Sequence, residues 1–279
     1  MNKADWYMTE DIQNILDNGY MDINPRPKYA DGTPAHTLSV NHVMRKYDLS
    51  KDEFPICDLR RISWKTGIKE IFTIYQKPTN VIKEMEEMGV NWWKDWDIGD
   101  GTIGQRYGAT VKRYDSMNKI INDIINDPYG RRKILSLWQE TDLAETPGLA
   151  PCAFLTIWNV RGEYLDMCLI QRSGDMLTAS GAGGINEVQY AALLMMIARH
   201  TGYKPGVFTH FVANEQIYDR HIDAAKEMLD RGIVMAASNR RPKLILNPEK
   251  TNFYEMTVDD FSIEDYNPVV PQLTLELGI

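Results

Sequence analysis

Cysteine and histidine are scarce in this sequence, and neither recurs at a spacing that holds a metal. The three cysteines are Cys57, Cys152 and Cys168, an odd number without a Cys-x-x-Cys pair. The five histidines form neither His-x-x-x-His nor His-Glu-x-x-His. Disulfide-rich scaffolds have many paired cysteines, and zinc sites have cysteine or histidine at short, regular spacing. We therefore expect reduced thiols and no bound metal.

Long apolar runs and an excess of positive charge are also missing. No run approaches the roughly 20 residues that cross a bilayer. The opening MNKADWYMTEDIQNIL lacks the apolar segment of a signal peptide. The formal net charge of −8 argues against a general nucleic-acid surface, although it is compatible with a local basic pocket for one small anion. We therefore expect a cytoplasmic protein that requires neither a membrane nor nucleic acid.

The spacing of apolar residues, glycine and proline predicts both helices and strands. The predicted helices cover residues 6–17, 64–76, 117–127, 185–202 and 214–232. The last of these has Asn214 as its expected N-cap. The strand-like segments are KILSLW, AFLTIWNV and EYLDMCLIQRS, of which the last two form a predicted hairpin around RGE. No repeat or linker-like stretch divides the chain, so residues 1–279 are predicted to form a single α+β domain.

The stretch APCAFLTIW places Cys152 directly after a proline and at the start of an apolar strand. Cysteine is often a small buried hydrophobe, and this alone would explain it. The predicted hairpin would also bring Arg172 close to Cys152. A cationic neighbour lowers the pKa of a thiol and favours the nucleophilic thiolate. Core residue and nucleophile both remain open on these residues alone.

Several arginines and one serine could form a phosphate pocket if the fold brought them together. They are Arg26, Arg131, Arg132, Arg172 and Ser173. Guanidinium groups bind phosphate oxygens in pairs, and a serine hydroxyl adds one more donor. Taken singly, each arginine is more simply interpreted as a partner in a surface ion pair. Such a pair contributes little to the stability of a protein.

Three other features each have two interpretations. Asn186 begins a predicted buried helix, which it could cap, or it could bind the edge of a base. Glu70 could face solvent, or it could face a closed pocket with a raised pKa and act as acid or base. The tryptophans of WWKDW could be core residues or a stacking wall for a flat ring. The glycine-rich SGAGG is weak as a nucleotide motif, because it lacks the P-loop lysine and the dinucleotide spacing.

The order of short motifs along the chain is more specific than any one of them. The motifs are DGTPAHTLS, WKTGIKE, WWKDW, DGTIGQRYG, GRRKILSLW, APC, QRSGD, INEVQYA and IYDRHID. In this order and over nearly the whole chain, they resemble the thymidylate synthase family. The resemblance implies a large mixed β-sheet packed by helices and a homodimer formed through the sheet face. It also implies a methyltransferase that converts dUMP to dTMP, with 5,10-methylenetetrahydrofolate as donor of both carbon and hydride.

The resemblance further implies a role for each matching residue. Cys152 would add to C6 of the pyrimidine, and Arg172 would hold it as a thiolate. The nucleotide phosphate would be bound by Arg26, Arg172 and Ser173, with Arg131 and Arg132 donated by the partner subunit. Asn186 would bond the O4/N3 edge of uracil, and Tyr218 the ribose hydroxyl. Glu70 and Tyr107 would organise water and proton transfers at the base. The remaining substrate residues would be Gln171, Asp175 and Gln216.

The expected folate-binding residues are Arg60, Trp93, Asp175 and Ile279, and here the chain departs from the family pattern at several points. Arg60 stands where a lysine is usual, and Gly278 where alanine or valine is common, so we expect a looser closing tail. Gln216 replaces a histidine in the segment from Ala213, and it can donate to a ribose hydroxyl but cannot become a cation. The SGAGGI loop is longer than usual and should reshape the wall between base and folate.

Three alternatives remain open from the sequence. The first is a pyrimidine nucleotide hydroxymethylase of the same fold, in which water replaces hydride; Asn186 favours uracil over cytosine in either enzyme. The second is a hydrolase that pairs Cys152 with His200, His210 or His221, and it leaves the arginines and Asn186 without a joint purpose. The third is an inactive relative that binds nucleotide or RNA. The negative net charge of the chain argues against this alternative.

Overall fold

The structure is a computed structural model that describes residues 1–278. Its helices are α1 (Lys3–Asn18), α2 (Trp64–Ile71), α3 (Ile82–Glu87), α4 (Gly108–Tyr114), α5 (Ser116–Asn126), α6 (Glu140–Glu145), α7 (Ile185–Thr201) and α8 (Ile222–Met235). Its strands are β1 (Tyr20–Met21), β2 (Thr37–Asp48), β3 (Ile134–Ser136), β4 (Ala153–Arg161), β5 (Tyr164–Gln171), β6 (Gly174–Asp175), β7 (Lys204–Tyr218), β8 (Lys243–Leu246) and β9 (Phe261–Glu264). Within residues 1–278, no helix is both long and apolar enough to cross a membrane.

Seven strands form one mixed sheet. The order across it is β1-β2-β7-β5-β4-β3, and β6 adds to β7. β7 runs parallel to β5 and antiparallel to β2, while β3, β4 and β5 form an antiparallel meander. The α+β class and the large mixed sheet packed by helices are therefore confirmed. The predicted hairpin is also present, since β4 pairs with β5 from Ala153 opposite Gln171 to Arg161 opposite Tyr164.

The two faces of the sheet have different surroundings. Residues that lie directly opposite one another on paired strands share a face. One such row runs Thr156, Leu169, His210, Arg45, and every member is buried. The adjacent row runs Leu155, Ile170, Phe211, Met44 and points the other way. Its first three members are only half-buried and Met44 is 63% exposed, so an apolar sheet face remains open.

α7 is the central helix of the core. Leu193, Leu194 and Ile197 are all fully buried, in agreement with a sequence that is apolar on almost every side. The helix ends at Thr201, where Gly202 takes a left-handed conformation with φ of 82° that glycine adopts without strain. Its N-cap is Gly184, so Asn186 lies inside the first turn and its side chain is not used as the cap.

The helix predicted over residues 214–232 is wrong over its first five residues, and a short 3-10 turn at Asp219–His221 precedes the α-helix. Residues up to Tyr218 belong to β7, and the helix begins at Ile222. Asn214 is a strand residue whose Nδ2 donates to Oδ1 of Asn41 on β2 at 3.3 Å. The physical reason is tertiary pairing: β7 has a hydrogen-bonded neighbour on each side, and these ladders override the local helical pattern. The helix predicted over residues 64–76 is an α-helix only in its first part. α2 ends at Ile71, and a π-helix continues over Phe72–Gln76.

Candidate active site

A deep cleft opens where the last residues of β5 meet the first turn of α7. Its volume is 1140 Å³, somewhat above the range of about 300–1,000 Å³ typical of single small-molecule sites. The predicted site residues that line it are Arg26, Arg60, Glu70, Trp93, Tyr107, Cys152, Gln171, Arg172, Ser173, Asp175, Asn186, Gln216 and Tyr218. Arg131 and Arg132 are outside it, and Ile279 lies outside the described residues.

Cys152 lies at the open end of the β4–β5 hairpin, beside Arg172. The backbone N–H of Arg172 donates to the Cys152 carbonyl at 3.0 Å, which fixes the two residues relative to each other. Nη2 of Arg172 lies 3.5 Å from the Cys152 Sγ. The guanidinium is held in place by the carbonyls of Pro151 and Ala150, at 3.0 and 2.9 Å. The thiol is therefore presented to the cleft against a fixed cation.

The protonation of Cys152 is a balance of burial and charge. Burial raises the pKa of its thiol, and the charges of Arg172 and Arg26 lower it without cancelling the effect of burial, so the pKa stays above the ordinary value. The sequence led us to expect a thiolate held by Arg172. The contact is present, and it offsets the effect of burial on the thiol pKa only in part.

Arg26, Arg172 and Ser173 line the same cleft, whereas Arg131 and Arg132 are elsewhere. Both of these arginines are exposed and directly precede Lys133 and β3. Ile134, the first residue of β3, is paired with Ile157 and is 53% exposed. Arg131 and Arg132 thus lie at the edge of the open apolar sheet face and outside the cleft of their own chain.

Asn186 is held by a set of neutral hydrogen-bonding side chains. Its Oδ1 accepts from Oγ of Ser180 at 2.9 Å and from Nε2 of Gln171 at 3.3 Å. Its Nδ2 donates to Oε1 of Gln189 at 3.0 Å. Gln189 is one helical turn further along α7, on the same face as Asn186. These contacts fix both the position and the orientation of the Asn186 amide.

Glu70 is buried, so the solvent-facing interpretation is wrong. Its Oε1 accepts from the indole N–H groups of Trp92 and Trp93, at 2.7 and 2.6 Å, and its Oε2 accepts from Gln189. Burial raises the pKa of Glu70, and the three donors lower it in part. The ring of Trp93 also packs edge-on against Tyr107, with 4.9 Å between centroids. The tryptophans therefore both pack in the core and bind the carboxylate.

Tyr107 connects this carboxylate region to the nucleophile. Its hydroxyl accepts from the backbone N–H of Cys152 at 3.4 Å. Burial raises the pKa of Tyr107 well above its ordinary value, so the phenol keeps its proton and can act as a donor. Its backbone has φ of 49°, an uncommon conformation for a residue with a side chain, and such strained positions cluster at functional sites.

Arg60 and Asp175 form the far wall of the cleft. Nη2 of Arg60 donates to the Thr178 carbonyl at 3.0 Å, while its buried Nε has no hydrogen-bond partner within residues 1–278. An unpaired buried donor of a cation favours an anionic or acceptor group of a ligand at this position. Oδ1 of Asp175 accepts from the N–H groups of Leu177 and Thr178, at 3.1 and 3.4 Å, which fixes the carboxyl at the cleft wall.

The long glycine loop is packed against the N-terminal part of the chain. Gly183 has φ of 63°, and a Cβ at this position would lie 2.4 Å from the backbone nitrogen of Cys57. No side chain larger than hydrogen fits there. Gly183 also donates its N–H to Oε2 of Glu187 at 2.7 Å. The loop is therefore fixed in place, and Ala179 and Ile185 beside it line the cleft.

The C-terminal tail, as far as Gly278, is held beside the cleft by hydrogen bonds and an ion pair, and the expected looseness of the closing tail stays a prediction. Arg220 donates to Glu276 and to Asp31, each at 2.8 Å. His221 Nε2 lies 2.7 Å from the Glu276 carbonyl. A Cβ on Gly278 would lie 2.8 Å from both Ala35 and Tyr218, so the small residue allows close packing.

We predict that Glu276→Gln loosens this tail. The Arg220–Glu276 pair is 36% and 41% exposed, and an exposed pair contributes about 0.2–1 kcal/mol. Amide hydrogen exchange of residues 273–278 should therefore become faster by up to about fivefold. Hydrogen-exchange mass spectrometry measures this, with the surface substitution Glu249→Gln as control. Equal exchange in the two variants would remove the ion pair from the account of the tail.

The structure adds site residues that the sequence did not indicate. Gln189 joins Asn186 to Glu70, and Ser180 supports Asn186. The spacing of three residues from Asn186 to Gln189 on a helix was the available signal for Gln189. No spacing indicated Ser180, which enters through the π-turn of the long loop. Among residues 1–278, no cluster of three or more His, Cys, Asp or Glu side chains could hold a metal ion.

Comparisons with known proteins agree over the whole chain. The family model described as thymidylate synthase matches residues 7–279. Thymidylate synthase of Lactococcus lactis subsp. lactis (strain IL1403) is 48% identical over 286 residues and covers 100% of both chains. That of Streptococcus pneumoniae (strain 70585) is 46% identical with the same coverage. Among solved structures, thermostable thymidylate synthase A from Bacillus subtilis superposes with a TM-score of 0.90 at 33% identity, covering 99% of each chain.

Proposed function

This chain belongs to the thymidylate synthase family and methylates dUMP to dTMP, and we propose that it does so through a covalent adduct of Cys152 with C6 of the pyrimidine. The observation that carries this proposal is the Cys152 thiol, 3.5 Å from a fixed Arg172 guanidinium, in a cleft that also contains Asn186 and buried Glu70. Formation of the S–C6 bond moves the C5=C6 electrons towards C5 and O4, which makes C5 nucleophilic.

The nucleotide is proposed to bind with its phosphate at Arg26, Arg172 and Ser173. Arg172 then has two tasks, because the same guanidinium contacts the Cys152 sulfur. Gln216 and Tyr218 end β7 and face the cleft, where an amide and a phenol can bond the ribose hydroxyls. Asn186 is proposed to donate to O4 and to accept from N3–H of uracil. Charge that develops on O4 during addition is then stabilised by a donor already in position.

Glu70 and Tyr107 are proposed to handle protons at the base. Glu70 is held by three donors in a buried position, and it can orient a water molecule or exchange a proton with the base. Burial raises its pKa, which brings the group closer to the pH at which an enzyme works. Tyr107, whose phenol keeps its proton, is proposed to donate a hydrogen bond to the water molecule through which protons move to and from the pyrimidine.

The residues of the far wall fit 5,10-methylenetetrahydrofolate as co-substrate. Trp93 and its neighbouring tryptophans offer flat surfaces for the pterin and the benzoyl ring, and Asp175 offers a carboxylate for pterin N–H groups. The unpaired Nε of Arg60 suits a carboxylate of the glutamate tail. When bound, the folate supplies the one-carbon unit and the hydride. Ile279 is proposed to close over it, continuing the fastened segment that ends at Gly278.

We propose a homodimer through the open apolar sheet face. The row Leu155, Ile170, Phe211, Met44 offers a continuous apolar surface that a second copy can cover. Arg131 and Arg132 border this face and are turned away from their own cleft, so they can reach the phosphate site of the partner subunit. We also propose a cytoplasmic location, which the three free cysteines support because thiols stay reduced there.

The product identifies the reaction. The purified protein with dUMP and 5,10-methylenetetrahydrofolate should give a nucleotide in which a methyl group replaces the hydrogen at C5, a net mass gain of one CH2, and an equal amount of dihydrofolate. Mass spectrometry of the nucleotide and the absorbance of dihydrofolate measure both. A hydroxymethyl product without dihydrofolate would instead identify a hydroxymethylase, and it would contradict the proposed hydride donor. Omission of the folate is the control and should give no product.

A further inference from the structure

A cluster of buried charged groups lies directly behind the residues proposed to bind the base. Arg45 is fully buried, and its guanidinium contacts Asp11 at 2.7 Å, Glu187 at 3.1 Å, and Glu215. His210 lies opposite Arg45 on the neighbouring strand and is also fully buried. None of these residues lines the cleft. Burial of so many charges is costly unless each is paired, so the cluster calls for a structural or functional explanation.

His210 connects this cluster to the site. Its Nδ1 lies 3.0 Å from Oε1 of Glu187, and its Nε2 lies 3.0 Å from Oε1 of Gln171. A proton lies between Nδ1 and Glu187, whichever atom holds it, because two lone pairs would repel at this distance. Glu187 is itself fixed by donors on its other oxygen, from Tyr47 and from the N–H of Gly183, each at 2.7 Å. The imidazole therefore cannot rotate freely.

The orientation of the Gln171 amide follows from its neighbours. Its nitrogen lies 2.9 Å from the backbone carbonyl of Ser173, and a carbonyl can only accept. The other atom, Oε1, must then face His210, so the geometry requires a hydrogen on Nε2 of His210. Because Nδ1 also shares a proton with Glu187, this contact opposes the effect of burial, which lowers the pKa of His210. Reversing the amide would place two acceptors against each other at the Ser173 carbonyl. His210 and that carbonyl together permit one orientation of Gln171.

From Gln171 the hydrogen bonds continue in one direction to the catalytic carboxylate. The two hydrogens on Nε2 of Gln171 go to the Ser173 carbonyl at 2.9 Å and to Ser180 Oγ at 2.6 Å, while Asn186 Oδ1 is further away at 3.3 Å. The Ser180 hydroxyl in turn donates to Asn186 Oδ1 at 2.9 Å, and Nδ2 of Asn186 donates to Gln189 Oε1. Nε2 of Gln189 then donates to Glu70. Each group in this chain, the Ser180 hydroxyl included, accepts from the one before and donates to the next. The orientation of Asn186 is consequently coupled to that of Gln171 and to the hydrogen on His210.

We propose that His210, held by Glu187 and Arg45, is a positioning residue that sets the orientation of the Asn186 amide and thereby makes the site select uracil over cytosine. The inference rests on the proposed function, in which Asn186 binds the base. Uracil presents an acceptor at C4 and a donor at N3, whereas cytosine presents a donor and an acceptor there. An asparagine amide fits one base in one orientation and the other base when it is reversed. A fixed amide discriminates between them, and a freely rotating amide does not.

The test compares binding of dUMP and dCMP by the full-length protein without folate, using isothermal titration calorimetry. His210→Phe keeps a buried ring but removes the hydrogen that Gln171 Oε1 accepts. We expect the ratio of the dCMP to the dUMP dissociation constant to fall about tenfold in this variant. His210→Gln retains a donor that can reach Gln171 and should restore part of the ratio. kcat for dUMP should fall in parallel with the loss of discrimination.

Phe208→Leu is the matched control, since Phe208 stacks on His210 from the same strand and is equally buried. It should lower the melting temperature but leave the dCMP to dUMP ratio unchanged. If His210→Phe keeps the wild-type ratio while the protein stays folded, the inference is overturned and the proposed function stands. If the wild-type protein itself does not prefer dUMP, the proposed role of Asn186 fails and the inference fails with it.

Discussion

Cys152→Ala is expected to lower the rate of dTMP formation by about 10⁴-fold or more, because no other group can form the bond to C6. The thiol lies at the end of the β4–β5 hairpin, and its loss removes no core packing on which the fold depends. Arg172 remains in place in the variant, since it is held by the carbonyls of Pro151 and Ala150. Binding of dUMP should therefore survive while turnover is lost.

Hydrogen exchange at C5 of dUMP measures the adduct separately from methyl transfer. When Cys152 adds to C6, C5 gains electron density and can take a deuteron from D2O. It then releases its original hydrogen as a proton, and expulsion of the thiolate regenerates the nucleotide with deuterium at C5. Proton NMR should show this exchange with the wild-type protein and none with Cys152→Ala. Cys57→Ala is the control, since Cys57 is a buried free cysteine that lines neither the cleft nor the open sheet face. Exchange that persists in Cys152→Ala would contradict nucleophilic addition by this thiol.

The fold could be predicted from the sequence where local patterns and tertiary packing agree. α7 is an example, because its apolar residues and Gly202 indicate both the burial and the end of the helix. The β4–β5 hairpin is another, with strands of β-type residues around a short turn. β7 is the contrary case. The segment ANEQIY favours a helix locally, and only pairing with β2 on one side and β5 and β6 on the other makes it a strand.

The candidate site shows the same division. The proximity of Cys152 and Arg172 could be predicted from the sequence, since a hairpin fixes which residues face each other. The burial of Glu70 could not be predicted, because the residues around it on α2 are compatible with either a buried or an exposed position. The cluster of Arg45, Glu187 and His210 also could not be predicted from the sequence. Its members come from β2, α7 and β7, and no local pattern reports that these elements meet.

Arg131→Ala/Arg132→Ala is expected to inactivate the homodimer at ordinary dUMP concentrations, although both residues lie outside the cleft of their own chain. If they reach the phosphate site of the partner subunit, the defect can be complemented. A heterodimer of this variant with Cys152→Ala contains one complete site, built from Cys152 of one chain and the arginines of the other. Its activity per dimer should be about half that of the wild type, because one of its two sites is intact. Two affinity tags and tandem purification isolate the heterodimer.

A second heterodimer carries the same three substitutions in a different distribution and serves as the control. Here Cys152→Ala, Arg131→Ala and Arg132→Ala are combined in one chain, and the partner is wild type. If the arginines act across the interface, the wild-type chain has Cys152 but lacks the arginines of its partner, and the triple variant lacks the nucleophile, so both sites fail. If each chain used its own arginines, the result would be reversed: this heterodimer would keep half the activity and the first would have none. The two measurements together decide which subunit supplies the arginines, independently of how far each variant is destabilised.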